Sequence, residues 1–251
     1  MPVQFECPHC GTLIDQTKKN RELPKVACKK CSEEFSTQWA RSPEDQQLPR
    51  GPVVSERFEV ARNFCNKLWN AARFTLLNLE GYSPRQVTAD QLAFEDRWLL
   101  SRLSSVTEKV TQSLDTYQYA EAARTLYDFA WDEFCSFYVE MGKSRLQNKD
   151  SRAVAQRVIA HCLDQILRLL HPMIPFITEE VWSLLRQVAP VRGLRDPQEA
   201  CESIMTAAWP PPVETDHDPE IEAQFAQFQS VLAAIREIRS RQNIGPKEQI
   251  E

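Results

Sequence analysis

The chain has little glycine, six residues in 251. All-β folds built on tight turns need more, because glycine supplies the positive φ those turns demand. It also lacks an excess of positive charge. Thirty lysines and arginines face 35 aspartates and glutamates, for a net charge of −5. That counts against binding nucleic acid through a generally basic surface and leaves room for a local basic or aromatic site. No run approaches the ~20 apolar residues of a membrane span. The opening residues, Met1 to Cys7, have neither the basic start nor the apolar stretch of a secretory signal. Eight cysteines without an export signal point to a reducing, cytoplasmic setting, with thiols that bind metal or lie buried. There is no repeat at a solenoid period.

What is present falls into zones. Residues 1–40 hold four cysteines and short β-like runs, Lys25-Val26-Ala27 and Glu34-Phe35-Ser36-Thr37. Residues 41–54 mix three prolines and a glycine with polar residues and read as a linker. From Ser55 the pattern is helical. Helices are expected over about 55–79, 89–115, 118–147, 151–170, 175–187 and 218–242, with 188–216 an irregular, proline-rich excursion. The segment 245–251 reads as the start of a further module. Short connections make the fold mainly α, an antiparallel helix bundle preceded by a small β ribbon.

Cys7-Pro8-His9-Cys10 and Cys28-Lys29-Lys30-Cys31 form C-x2-C…x17…C-x2-C. Two such knuckles close a tetrahedron of sulfurs, so Cys7, Cys10, Cys28 and Cys31 are expected to hold a structural zinc. Gly11 suits the positive φ of a knuckle. About 40 residues bury too little core to fold alone, and the metal supplies the difference. Cys-Pro-His-Cys also occurs as a redox dithiol, which needs a helix start after a strand in a larger α/β domain, and no βαβ pattern is present. Cys65, Cys135 and Cys162 sit in apolar-periodic helices and read as buried thiols.

On a helical wheel, Ala61, Phe64, Cys65, Leu68, Ala72, Thr75, Leu76 and Leu79 share one stripe, the expected core face. Asn63, Lys67, Asn70 and Phe74 form a row outside it, flanked by Arg62 and Arg73. An aromatic among amides and a cation suits an unstacked RNA base. Packing on a neighbouring helix or domain is the simpler reading, and periodicity alone favours it.

The stretch ARNFCNKLWNAARFTLLNLEGY (61–82) closely resembles the opening helix of the anticodon-binding domain of valyl-tRNA synthetases. The likeness continues through DRWLLSRL (96–103), YAEAARTLYDFAWDEFCSFYVEMGKSRL (119–146), LLHPMIPFITEEVWSLL (169–185) and AIREIRSRQNIGPKE (234–248). It spans about 54–251. The resemblance implies a class I synthetase bundle that binds the anticodon stem and loop of a valine tRNA. It places the positions matching Lys67, Asn70, Arg73 and Phe74 on the anticodon-facing side, and Asn63 and Arg62 extend that row. It implies a parent ATP-dependent ligase whose catalytic domain is a second partner. The His-Ile-Gly-His and Lys-Met-Ser-Lys-Ser type motifs of that catalytic body are missing here, and Gly142-Lys143-Ser144 lacks an upstream phosphate-cradling glycine. The chain alone is therefore expected to be inactive in aminoacylation.

The ribbon departs from the family pattern. It carries Lys18, Lys19, Arg21, Lys25, Lys29 and Lys30, which either meet tRNA phosphates or form a solvated surface on a spacer. A ribbon and bundle acting as a protein-interaction module without RNA binding is the competing reading. The corner 169–177, with Leu169, Leu170, Met173, Ile174, Phe176 and Ile177, looks too apolar for a surface turn, and Glu179 and Glu180 are expected in the next helix's first turn.

Overall fold

The structure is a computed structural model that describes residues 3–245 and Glu248. The expected further module at 245–251 lies mostly outside the described residues. Two compact units divide at Met1–Asn66 and Lys67–Glu251.

The first unit holds the ribbon. Strands β1 (Gln4–Glu6) and β2 (Leu13–Asp15) pair antiparallel across the first knuckle, and β3 (Lys25–Ala27) and β4 (Glu34–Ser36) do so across the second. A short helix α1 (Pro43–Gln47) and strand β5 (Val53–Val54) follow. β5 adds to the free edge of β1, giving the order β2-β1-β5. Residues 41–54, read from sequence as a linker, thus complete the ribbon. Ser36 Oγ donates to Leu48 O, and Gly51 N donates to Ser36 O at 2.9 Å. A side chain at Gly51 would meet the Phe35 ring at 2.3 Å, so only glycine lets this return strand close on the core. The proline and polar content that mimics a linker serves the caps and turns of a packed strap: Ser42 caps α1, with Pro43 at its first position.

Phe5, Cys7, Ile14, Val26, Cys28 and Phe35 form the ribbon core, in which Phe5 meets Phe35 edge-on at 6.2 Å.

The helix α2 (Glu56–Asn78) leads into the second unit. Leu68, Ala71, Ala72, Thr75 and Leu79 are buried, Cys65 and Leu76 half-buried, and Ala61 is exposed, so the expected core stripe starts at Phe64 rather than at Ala61. The expected helix at 89–115 splits into a 3-10 turn (Ala89–Gln91) and α3 (Phe94–Asp115). The break has a cause. Ala93 is extended, and its N–H donates to Asp96 Oδ2 at 3.0 Å. Asp96 is fully buried, and its Oδ1 also accepts from Tyr138 Oη (2.8 Å) and Arg145 Nη1 (2.7 Å).

The aromatic-rich helix runs as α4 (Tyr119–Asp128), a ten-residue π segment (Phe129–Tyr138) and α5 (Val139–Gln147). Phe129, Phe134 and Tyr138 on the π segment are fully buried. Helix α6 (Lys149–Leu170) starts two residues earlier than expected because Asn148 caps it, accepting from Asp150 N. Residues 155–160 are all buried, which makes α6 the central helix.

Helix α7 (Pro175–Val188) has Pro175 at its first position, which puts Glu179 and Glu180 beyond the first turn, and Phe176 is 91% exposed. Both differ from expectation. Only Leu169 and Leu170 at that corner are fully buried, because they still belong to α6. Trp182 anchors the irregular excursion: its Nε1 donates to Cys201 O, and the Arg192 guanidinium lies 4.1 Å over its ring while pairing with buried Asp164. Helix α8 (Pro219–Arg241) docks on α3 by Phe225, which stacks on Trp98 with centroids 3.5 Å apart. Beyond it Phe228, Val231, Ile235 and Ile238 are exposed. No helix among the described residues is long and apolar enough to cross a membrane.

Candidate metal centre and nucleic-acid interface

The two knuckles repeat one another with a 21-residue offset. Cys7 N donates to Thr12 O as Cys28 N does to Glu33 O, and Gly11 N donates to Cys7 O as Ser32 N does to Cys28 O. Each knuckle needs one left-handed residue, Gly11 (φ 71°) in the first and Ser32 (φ 61°) in the second. The four Sγ atoms lie within 4.8 Å of one another. Cys7 and Cys31 are 3.7 Å apart, and Cys10 and Cys28 3.6 Å. A tetrahedron with ~2.3 Å metal–sulfur bonds has edges of about 3.8 Å, so the cluster can hold a metal ion without rearrangement. Thr12 brings the Cys10 thiol down to about 6, and backbone N–H groups of Cys31 and Lys30 lower Cys28. Cys31 is pushed up to about 12: the Glu33 backbone contact pulls down, but burial and the neighbouring sulfurs outweigh it. Crowded thiols of this kind ionise together only with a cation among them. His9 is exposed and outside the cluster.

On α2, Arg62, Asn63, Asn70 and Arg73 are exposed, while Lys67 and Phe74 are half-buried. Lys67 Nζ donates to Ser136 Oγ at 2.6 Å and lies 4.0 Å over the Trp131 ring. Ser136 Oγ in turn donates to Trp131 O at 2.9 Å, a reach of five residues that the π segment provides. Trp131 stacks on Tyr127 at 5.6 Å and 9°. The lysine thus knits α2 to the aromatic helix.

Lys67, Asn70 and Phe74 line a groove of about 200 Å³, whose far wall is Cys135, Val139, Glu140 and Lys143. Lys143 Nζ stands 5.8 Å from the Phe74 ring centroid and pairs with Glu140 at 2.5 Å. Burial pushes the Cys135 thiol up to about 12, so it stays protonated on that wall. Glu140 and Lys143 escaped the sequence reading because their place opposite Phe74 is tertiary. Their i, i+3 spacing on a helix was the available signal.

Arg62 and Asn63 lie in the first unit and Asn70, Arg73 and Phe74 in the second.

The family model for the anticodon-binding domain of tRNA ligase matches residues 96–251. The valine–tRNA ligase of Rhodopirellula baltica is 58% identical over 250 residues, covering 100% of this chain and 24% of the relative. That of Carboxydothermus hydrogenoformans is 43% identical over 197 residues, covering 78% of this chain and 21% of the relative. A solved LeuRS-tRNA-LeuAMS ternary complex from Agrobacterium radiobacter matches at 21% identity and a TM-score of 0.43, over 63% of this chain and 17% of that one, a likeness too weak to inform the fold. The chain spans about a quarter of the length of these curated relatives. A match over more than half of the chain, on a helix bundle of the expected order, settles its place: the chain belongs to the anticodon-binding domain family of tRNA ligases.

Proposed function

We propose that this chain is the part of a valine–tRNA ligase that binds the anticodon stem and loop of its tRNA, and that the groove at Phe74 receives an unpaired base. The observation that carries the reading is the 58% identity to a valine–tRNA ligase along the whole chain. The groove supplies the chemistry. The half-buried Phe74 ring offers a stacking face, Asn70 and Glu140 stand where a base edge would lie, and Lys143 and Arg73 offer cations to the flanking phosphates. Arg62 and Asn63, exposed in the first unit, are RNA-contacting residues in their own right. Lys67 serves chiefly to hold the aromatic wall in place.

Cys7, Cys10, Cys28 and Cys31 hold a structural zinc. Four thiolates leave no open coordination position, so the metal supports folding rather than catalysis. The ATP-dependent ligase chemistry belongs to the longer protein, in whose cytoplasmic setting the catalytic domain is this chain's second partner. The exposed apolar side chains along α8 are the kind of surface that such a contact covers.

The test is titration of a valine tRNA transcript with the wild-type chain and Phe74→Ala. Losing one stacked base weakens binding by about 5- to 150-fold. Equal affinity of both proteins removes Phe74 from the interface. Equal wild-type affinity for valine and isoleucine tRNAs removes the specificity.

A further inference from the structure

The six basic residues of the ribbon do not form one cluster. Lys29 and Lys30 sit between Cys28 and Cys31, in the second knuckle itself. Lys25 is paired with Glu34 at 2.7 Å across the β3–β4 ladder. Lys18, Lys19 and Arg21 lie in the β2–β3 connection, at the opposite end of the strands from both knuckles. The connection is a tight turn. Thr17 N donates to Asn20 Oδ1, Arg21 N to Thr17 O and Leu23 N to Asn20 O. It leaves Lys18 and Lys19 exposed, with no ion pair among the described residues, and Arg21 with only an exposed contact to Glu22. Glu22 is the single acid between residues 17 and 30.

The same end carries an aromatic. Thr37 N donates to Pro24 O, Thr37 Oγ1 donates to Leu23 O, and Trp39 N donates to Thr37 Oγ1. These bonds hold the Trp39 backbone at that end of the ribbon, where Trp39 is 40% and Leu23 45% exposed. An indole on a surface otherwise rich in charge has no packing role in the ribbon core, which consists of Phe5, Ile14, Val26, Phe35 and the cysteines.

We infer that this end of the ribbon is a second RNA-contact surface: Lys18, Lys19 and Arg21 meet backbone phosphates, and Trp39 stacks on an unpaired base. Unpaired lysines and an exposed indole at one end of the ribbon match the two requirements of single-stranded RNA binding, cations for the backbone and a π-face for the bases. The inference rests on the reading that the chain binds tRNA. It extends that reading to a part of the chain the anticodon-binding family model does not cover, since the model begins at residue 96.

The experiment measures binding of the full chain to a valine tRNA transcript across a range of salt concentrations. Removing two phosphate contacts in Lys18→Gln/Lys19→Gln should lower the slope of log Kobs against log salt by about 1.4 to 1.8. Trp39→Ala should weaken binding about fivefold or more with the slope unchanged. Retained metal content checks that each variant ribbon is folded. If slope and affinity stay at wild-type values in both variants while Phe74→Ala still weakens binding, the ribbon surface is refuted and the bundle reading stands. If the wild-type chain does not bind the transcript, both fall together.

Discussion

Lys67 separates two accounts of the α2 row. The resemblance places it toward RNA, whereas the structure engages its ammonium inside the protein. Consider Lys67→Met, which keeps the aliphatic stem and deletes the charge. The variant loses a charge-assisted hydrogen bond to Ser136 and a cation over Trp131 at 4.0 Å. The first is worth about 1.5–3 kcal/mol and the second about 0.5–2, depending on solvent access. Because Lys67 is only half-buried, the lower parts of both ranges apply, and the expected cost is about 2–3 kcal/mol. Urea unfolding followed by far-ultraviolet circular dichroism measures it as a shift in midpoint at constant m. The salt dependence of tRNA binding should stay unchanged in this variant, whereas Lys143→Gln should lower the slope by about 0.7–0.9. If Lys67→Met costs under ~0.5 kcal/mol and lowers the slope by that amount, the lysine points to phosphate and its internal role is refuted.

Other outcomes follow from the same geometry. Asp96→Asn strips a fully buried carboxylate from Arg145, Tyr138 and the Ala93 N–H, and should cost about 3–5 kcal/mol, while Glu95→Gln should cost under ~1; equal midpoints for the two would contradict the network. Cys28→Ser should abolish stoichiometric zinc, measured by elemental analysis, while helical dichroism is largely retained; a full complement of zinc would rule out the four-sulfur site. Burial holds His161 below the usual histidine range. The unfolded chain therefore binds the extra proton first, so stability is complete above about pH 6.5 and declines as pH falls below it. His161→Gln should flatten that decline in pH-dependent melts, and an unchanged profile would assign it elsewhere.

The helix order was legible because its punctuation is local. Gly81 ends α2 with a positive φ, Pro175 opens α7, and Asp218-Pro219 opens α8. The cysteine spacing was legible because a C-x2-C turn brings its two sulfurs together whatever surrounds it. The exposure of Phe176 is not legible in the sequence, because an apolar residue at a helix start announces no particular direction, and here it points outward. Nor is the packing of residues 41–54 legible, because the composition of a strap tied down by caps and backbone bonds is that of a free linker. The partners of Lys67 and the far wall of the Phe74 groove were invisible in periodicity. Lys67 and Ser136 are 69 positions apart, and only packing brings them together.

The π segment between α4 and α5 sets the phase of everything after it. Each residue of an α-helix advances the side-chain direction by about 100°. A turn closed by i→i+5 bonds holds more residues than an α turn and so advances each by less, and the ten residues Phe129–Tyr138 lag behind ten residues of a regular helix. Winding the same ten residues as α turns would rotate α5 about its own axis and turn Glu140 and Lys143 off the Phe74 groove, although neither had been altered. The wide turns act as a gear between two helical faces. A one-residue deletion there, whose lost rotation α turns make up, would disturb the groove less than the same deletion within α4 or α5.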